Sequence, residues 1–144
     1  MTLFSRIALL ASFAFISLQA GDLTLSVKAE GFKNDKGHAI VMLYNKPGSI
    51  PDKTLSHYYR RTKVAIHHGV AHARFRNLPP GNYAVSLFHD ANDNGKIDKG
   101  MMMPVEGVGL SRFRSVNLFN PPSFEKASFP LEKNGEVTVH LIYF

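Results

Sequence analysis

The chain contains no cysteine. This absence excludes disulfide bonds, thiol catalysis and thiolate metal sites, so stability has to come from an apolar core, with or without a bound ion. Beyond residue 20 the sequence also lacks any apolar run of the length that a transmembrane helix needs, which is about 20 residues. It shows no long stretch with an apolar stripe at helical spacing, and this points away from a helical fold.

Catalytic motifs are absent as well. The sequence has no G-x-S-x-G elbow, no H-E-x-x-H helix and no phosphate-binding glycine loop. We therefore assign no catalytic residue, and a binding or accessory module is favoured over an enzyme. The alternative is a periplasmic hydrolase that uses Asp90, Asp98 or Glu106 with His89 as the base.

The first twenty residues have the features of a signal peptide. Arg6 provides a positive charge, residues 7–18 form an apolar run too short to span a bilayer comfortably, and Ala20 is a small residue at a cleavage site. We expect residues 21–144 to fold as one domain in the periplasm or outside the cell, with no transmembrane span after cleavage. The alternative is that residues 1–20 remain as an N-terminal anchor.

Basic residues exceed acidic ones in the expected mature chain. Without Arg6, 16 lysines and arginines face 11 acidic residues, which gives a formal charge of +5. The longest basic run is Arg60-Arg61, and such scattered charges are typical of solvated surfaces and not of a nucleic-acid footprint. We expect a ligand or protein partner outside the cytoplasm and no nucleic acid. The charge favours anionic lipid or polysaccharide as an electrostatic partner.

The apolar pattern is that of β-strands. Residues 23–29 alternate apolar and polar side chains, whereas residues 38–44 form a continuous apolar run that suits a central strand covered on both faces. Further strands are predicted at residues 64–67, 70–75, 83–88 and 137–143, and residues 48–62 are unassigned. The spacing predicts an all-β fold, a single antiparallel β-sandwich of about seven strands.

The segment that follows residue 89 has the spacing of a calcium-binding loop. Oxygen ligands are expected from loop positions 1, 3, 5, 7 and 9, the seventh through its backbone carbonyl: Asp90, Asn92, Asn94, Lys96 and Asp98. Gly95 lies at the sharp turn. Position 12 is Met101 where a glutamate is usual, so Glu106 is the candidate for the missing carboxylate and Ca²⁺ is the expected ion. The alternative is an Asx turn that binds no ion.

Seven histidines form a second candidate metal signal. His67 and His72 are predicted on adjacent strands, on either side of a turn at His68-Gly69, where they could share a divalent ion. No carboxylate completes a ligand spacing, so we favour the alternative that both are exposed strand residues.

Four segments together resemble one bacterial family. They are residues 78–85, 89–98, 104–109 and 121–127, which begin with Leu-Pro-Pro-Gly, His-Asp, Pro-Val-Glu-Gly and Pro-Pro-Ser-Phe. The chain resembles the exported family called domain of unknown function 2141. The resemblance implies an exported sandwich of transthyretin-like or immunoglobulin-like type, no established activity, and a working face within residues 89–129. Residues 109–112 read Gly-Leu-Ser-Arg where the family tends to have Gly-Phe-Ser-Asn.

The expected working face contains four candidate ligand contacts: His89, Phe113, Phe119 and Phe124. The three phenylalanines lie in the long segment from Lys99 to Ala127, and loops of this length in compact domains are usually functional or disordered. The alternative is that the phenylalanines cap one end of the core.

We predict cleavage after Ala20. The intact mass of protein recovered from the periplasm or the medium should correspond to residues 21–144. Recovery of the chain in membranes with Met1 to Ala20 still attached would contradict this prediction.

Overall fold

The computed structural model describes residues 21–98 and 106–144. Within them the chain forms nine strands and one short helix: β1 (Leu23–Glu30), β2 (His38–Tyr44), β3 (Arg60–Val64), β4 (Ile66–His67), β5 (Val70–Leu78), β6 (Gly81–Asp90), β7 (Val108–Leu110), α1 (Phe124–Ala127), β8 (Phe129–Leu131) and β9 (Gly135–His140). Among these residues no helix is long and apolar enough to cross a membrane. The predicted all-β class is confirmed.

The strands form two sheets. Sheet A has the order β4-β5-β1-β9, and sheet B has the order β3-β2-β6-β7, with β8 paired to the beginning of β6. The predicted sandwich is confirmed, although the described residues hold nine strands where about seven were expected. One pair, β1 with β9, is parallel, with Leu25 opposite Gly135. The expectation of purely antiparallel pairing is wrong there, because the long connection between these strands lets β9 enter the sheet in the direction of β1.

The strands with a clear period lie where they were predicted, and the differences occur where the chain changes sheets. The predicted strand at 64–67 is the end of β3 in sheet B and the whole of β4 in sheet A, with Ala65 between them. The last strand ends at His140, and the chain then crosses to sheet B, where Ile142 forms a bridge with Val108. Strands β7 and β8 have three residues each, which is too short to show a period in the sequence.

Alternation places one apolar core between the two sheets. From sheet B, the odd-numbered residues 39–43 of β2 and 83–87 of β6 belong to this core. Sheet A contributes apolar side chains from all four of its strands, including Leu25, Val27, Ala29, Ile66, Ala71, Ala73, Phe75 and Val139.

The outer face of sheet B carries a second apolar core. The even-numbered positions of β2 and β6 supply Ile40, Met42, Tyr44, Ala84 and Phe88. The end of β7, helix α1 and the connecting segments cover them with Ile50, Leu110, Phe113, Phe124 and Ala127. Both faces of β2 are therefore covered, and residues 39–44 are all buried. This explains the continuous apolar run that predicted a central strand.

Ser111 attaches the segments that cover the outer face of sheet B to the middle of β6. Its side chain is buried, and its Oγ accepts a hydrogen bond from the Val85 N–H at 3.0 Å and donates one to the Ala127 carbonyl at 2.7 Å. The Ser111 N–H in turn donates to the Val85 carbonyl at 2.8 Å. One hydroxyl thus satisfies two buried backbone groups that lie far apart in sequence.

We predict that Ser111→Ala lowers the free energy of unfolding by about 1–3 kcal/mol, because it leaves a buried N–H and a buried carbonyl without their partner. Ser115→Ala, at an exposed position, is the control and should change stability by less than about 0.5 kcal/mol. Urea denaturation measures both. Equal stability of the two variants would contradict the role of Ser111.

Candidate binding site

The loop after β6 is organised by the carboxylate of Asp90. This residue ends β6 and is 1% exposed. Its Oδ1 accepts a hydrogen bond from the Asn94 N–H at 3.0 Å, and its Oδ2 accepts one from the Gly95 N–H at 2.8 Å. Gly95 has φ +74°, which glycine adopts without strain. The chain therefore curls back over Asp90.

The curl brings two amides against Asp98. Asn92 Nδ2 donates to Asp98 Oδ2 at 2.6 Å, and Asn94 Nδ2 donates to Asp98 Oδ1 at 2.9 Å and to Oδ2 at 3.1 Å. The side-chain oxygen of Asn94 accepts from the Lys96 N–H at 2.9 Å, while the Lys96 side chain is exposed. The loop residues that the sequence singled out are thus adjacent in space.

Glu106, the candidate for the missing carboxylate, reaches the loop from the following segment. It is 8% exposed, and its two carboxylate oxygens bind both ends of the loop. Oε1 accepts from the Ala91 N–H and Oε2 from the Asp98 N–H, each at 3.1 Å. Met101 lies outside the described residues.

The site contains negative charge that has no cationic partner among the described residues. Among the described residues, neither Asp90 nor Glu106 forms an ion pair. Over residues 21–98 and 106–144, no three histidine, aspartate or glutamate side chains form a group that could hold a metal ion. An ion here would therefore depend on the amide oxygens of Asn92 and Asn94 and on the carbonyl of Lys96. Such oxygen donors suit a hard cation, and an amide presents its oxygen after a half-turn of its terminal group.

Asp93 belongs to the same loop but faces away from these donors. Its Oδ1 lies 2.6 Å from His38 Nδ1 and 3.3 Å from Lys63 Nζ. The hydrogen bond to His38 is the main cause that lowers the pKa of Asp93, and Lys63 acts in the same direction. Asp93 therefore ties the loop to β2 and β3.

His89 is a buried structural residue. Its Nε2 lies 2.7 Å from the Lys36 carbonyl, and its Nδ1 lies 3.0 Å from the hydroxyl of Tyr143. A carbonyl only accepts, so Nε2 carries the hydrogen and Nδ1 accepts from Tyr143. Both ring nitrogens are engaged, which leaves neither free to contact a ligand.

The other candidate ligand contacts divide into two groups. Phe113 and Phe124 are buried in the second core. This agrees with the alternative that the phenylalanines cap one end of the core. Phe119 is 98% exposed and stays a candidate ligand contact. His67 lies directly opposite Val70 and not opposite His72, and both histidines are exposed strand residues, as the favoured interpretation expects.

Sequence reasoning missed an apolar groove on the outer face of sheet B. The groove has a volume of about 600 Å³. Its walls come from four parts of the chain, the segment after β2, the end of the acidic loop, the segment after β7 and the C-terminus, and include Ile50, Leu55, Ile97, Val116, Pro121, Ile142 and Phe144. Ser86, Leu110 and Tyr44 also line it. No local pattern marks these residues as neighbours, because they come from separate parts of the chain.

Asp52 fixes one wall of the groove. Its buried carboxylate accepts hydrogen bonds from the Tyr44 hydroxyl at 3.1 Å and from the N–H groups of Ser56 at 3.2 Å and His57 at 2.8 Å. Burial acts to raise the pKa of Asp52, but the hydrogen bonds from His57 and Ser56 outweigh it, and the pKa is lowered. The carboxylate therefore joins the segment after β2 to the strand beneath it.

The fold defines a two-sheet, all-β protein with an apolar groove on one face and an acidic loop beside it. Residues 27–140 match the family described as "Uncharacterized protein conserved in bacteria (DUF2141)". The chain belongs to this family, which confirms the resemblance seen in the sequence. Neither the curated proteins nor the solved structures contain a match to the chain. The transthyretin-like arrangement stays a prediction.

Proposed function

We propose that this protein is an exported binding module whose ligand is apolar over most of its surface. The groove on the outer face of sheet B is the observation that carries the proposal. Its volume of about 600 Å³ lies within the range of small-molecule sites, about 300–1,000 Å³, and such sites are mostly apolar with few polar groups. The acyl chain of a lipid has the matching chemistry.

Exposed apolar side chains at the groove support this ligand class. Leu118 is 95% exposed and Phe144 is 50% exposed, and both line the groove. Phe119 follows Leu118 and is also exposed. Large apolar side chains that cluster in water mark binding surfaces in soluble proteins. A bound apolar ligand would cover them.

The loop from Asp90 to Asp98 binds calcium in this proposal and stabilises the domain. Two buried carboxylates, Asp90 within the loop and Glu106 against it, form no ion pair in the described part of the chain, and buried charge is costly unless it is compensated. The donors are all oxygens, as Ca²⁺ requires. With no bidentate glutamate at Met101, the affinity belongs in the weak range of extracellular modules, a dissociation constant of about 10⁻⁴ to 10⁻³ M.

Ile97 couples the loop to the groove. It is the last residue before Asp98, it packs against the second core, and it lines the groove. An ion that holds Asp98 in place therefore also holds one wall of the groove. Calcium should increase the affinity for the apolar ligand as well as the stability of the domain.

The hydrolase alternative has no comparable support. A general base needs a free ring nitrogen or carboxylate at the substrate. Both ring nitrogens of His89 are engaged, and both carboxylate oxygens of Asp90 accept backbone hydrogen bonds. We therefore assign no catalytic residue, and we place the protein in the periplasm or outside the cell on the strength of residues 1–20.

We predict that N-phenyl-1-naphthylamine, a neutral apolar dye that fluoresces in apolar surroundings, binds the groove. Ser86→Phe should weaken binding by at least about tenfold, because Ser86 lines the groove and the added ring occupies space the ligand needs. A fluorescence titration measures the affinity.

Ser26→Phe is the matched control for this titration. Ser26 is also a half-buried serine within a strand, but it lies on the outer face of sheet A. The control should bind the dye like the parent. Equal loss in both variants, or no dye binding by the parent, would contradict a ligand site in the groove.

We predict that calcium at about ten times its dissociation constant stabilises the protein by about 1.4 kcal/mol relative to excess chelator. For a domain of this size that corresponds to a rise in melting temperature of about 4–6 °C. Asp98→Asn should abolish the difference between calcium and chelator. Differential scanning calorimetry measures it.

Asp93→Asn is the control, since it removes one charge from the same loop at a side chain that faces His38 and Lys63. It should lower the melting temperature in both solutions and keep the difference between them. Identical melting curves of the parent in calcium and chelator would show that the loop is a turn that binds no ion.

A further inference from the structure

The outer face of sheet A carries a row of basic side chains along β5. His72, Arg74 and Arg76 are exposed and alternate with buried Ala71, Ala73 and Phe75. Residues two apart on one strand are about 6.6 Å apart along it. The three side chains therefore lie on one face of β5, and the strand becomes irregular just after Arg76, where its register with β1 shifts between Phe75 and Leu78.

Arg60 extends this row from the neighbouring sheet. It begins β3, and its guanidinium donates hydrogen bonds to the carbonyls of Arg76 and, at 3.2 Å, of Asn77. The guanidinium also lies 5.1 Å from the ring centre of Tyr59. Carbonyls and an aromatic ring orient the arginine without neutralising its charge, so a positive charge is fixed at the end of the row.

Little negative charge balances the row. Among the described residues none of Arg60, Arg74 and Arg76 forms an ion pair. Glu136 on β9 lies two strands away from Arg74, with Ser26 of β1 between them. Like charges at this spacing repel each other, and an anionic ligand would relieve that repulsion.

These residues line a polar hollow of about 640 Å³: Ser26, Arg60, His72, Ala73, Arg74, Arg76, Asn77 and Glu136. We propose that this hollow, the basic hollow, binds a segment of an anionic polysaccharide. Arg60, Arg74 and Arg76 place three positive charges around one hollow, which matches a polymer with repeated negative groups. Arginine forks hold carboxylate, sulfate or phosphate through paired hydrogen bonds, and Ser26 and Asn77 provide partners for sugar hydroxyls.

The face fits a glycan better than a membrane surface. The exposed aliphatic and phenylalanine side chains that could insert between lipids, such as Leu118 and Phe144, line the groove on the outer face of sheet B, whereas the aromatic ring beside the basic hollow, that of Tyr59, is only 40% exposed and packs against Arg60. The hollow is concave and polar, whereas an interfacial anchor presents apolar side chains beside its basic ones. The inference does not depend on the proposed function, because the two surfaces lie on opposite faces of the sandwich.

The test compares dextran sulfate with neutral dextran of the same length, by calorimetric titration of the purified protein. Dextran sulfate should bind and dextran should not. Arg74→Ser with Arg76→Ser should weaken binding by at least about tenfold, since two arginine forks are lost. The control, Lys36→Ser with Lys46→Ser, removes the same charge at two exposed turns beside β2 and should weaken binding by less than about twofold. All four side chains are exposed, so both double variants should keep the parent's melting temperature.

Three results would overturn the proposal. Equal losses in the two double variants would mean that only net charge attracts the polymer. Equal binding of dextran and dextran sulfate would mean that the arginines do not select the ligand. Binding to phosphatidylglycerol vesicles as tight as to dextran sulfate, with the same loss in the arginine variant, would assign the hollow to anionic lipid.

Discussion

The requirement to cover both faces of sheet B determines most of this structure. Strands β2 and β6 are apolar on both sides, and sheet A can bury only one of these. The other side needs a second cover, which the connections after β2 and after β7 supply. A cover made of connections packs less continuously than a sheet, and the groove lies among its segments. The buried hydroxyl of Ser111 and the carboxylate of Asp52 attach this cover to the strands beneath it.

The acidic loop is a continuation of the same sheet. Asp90 is both the last residue of β6 and the acceptor around which the loop turns, so the position of the strand determines the position of the loop. The backbone of Gly37 packs closely against the end of β6, and a side chain would not fit there because its Cβ would overlap the carbonyl of Asp90. Glu106 then joins both ends of the loop to the segment that leads into β7. The end of the loop, at Ile97, therefore forms part of the wall of the groove.

The sandwich separates two kinds of surface. Sheet B is covered by an apolar layer with exposed apolar residues at its groove, whereas the outer face of sheet A is polar and basic. Alternation along β5 is the reason, since Ala71, Ala73 and Phe75 face the core and the residues between them face water. The proposed apolar ligand and the proposed anionic polymer would therefore contact opposite faces of the sandwich.

The sequence by itself determined the all-β class, the strands with a clear period and the loop from Asp90 to Asp98, because these depend on residues close together in the chain. Only the tertiary structure decided the parallel pairing of β9, the burial of Phe113 and Phe124, and the groove. These features depend on contacts between distant segments, such as the bridge of Val108 with Ile142. A local period in the sequence indicates that one face of a strand is buried, but it does not indicate which distant segment covers that face.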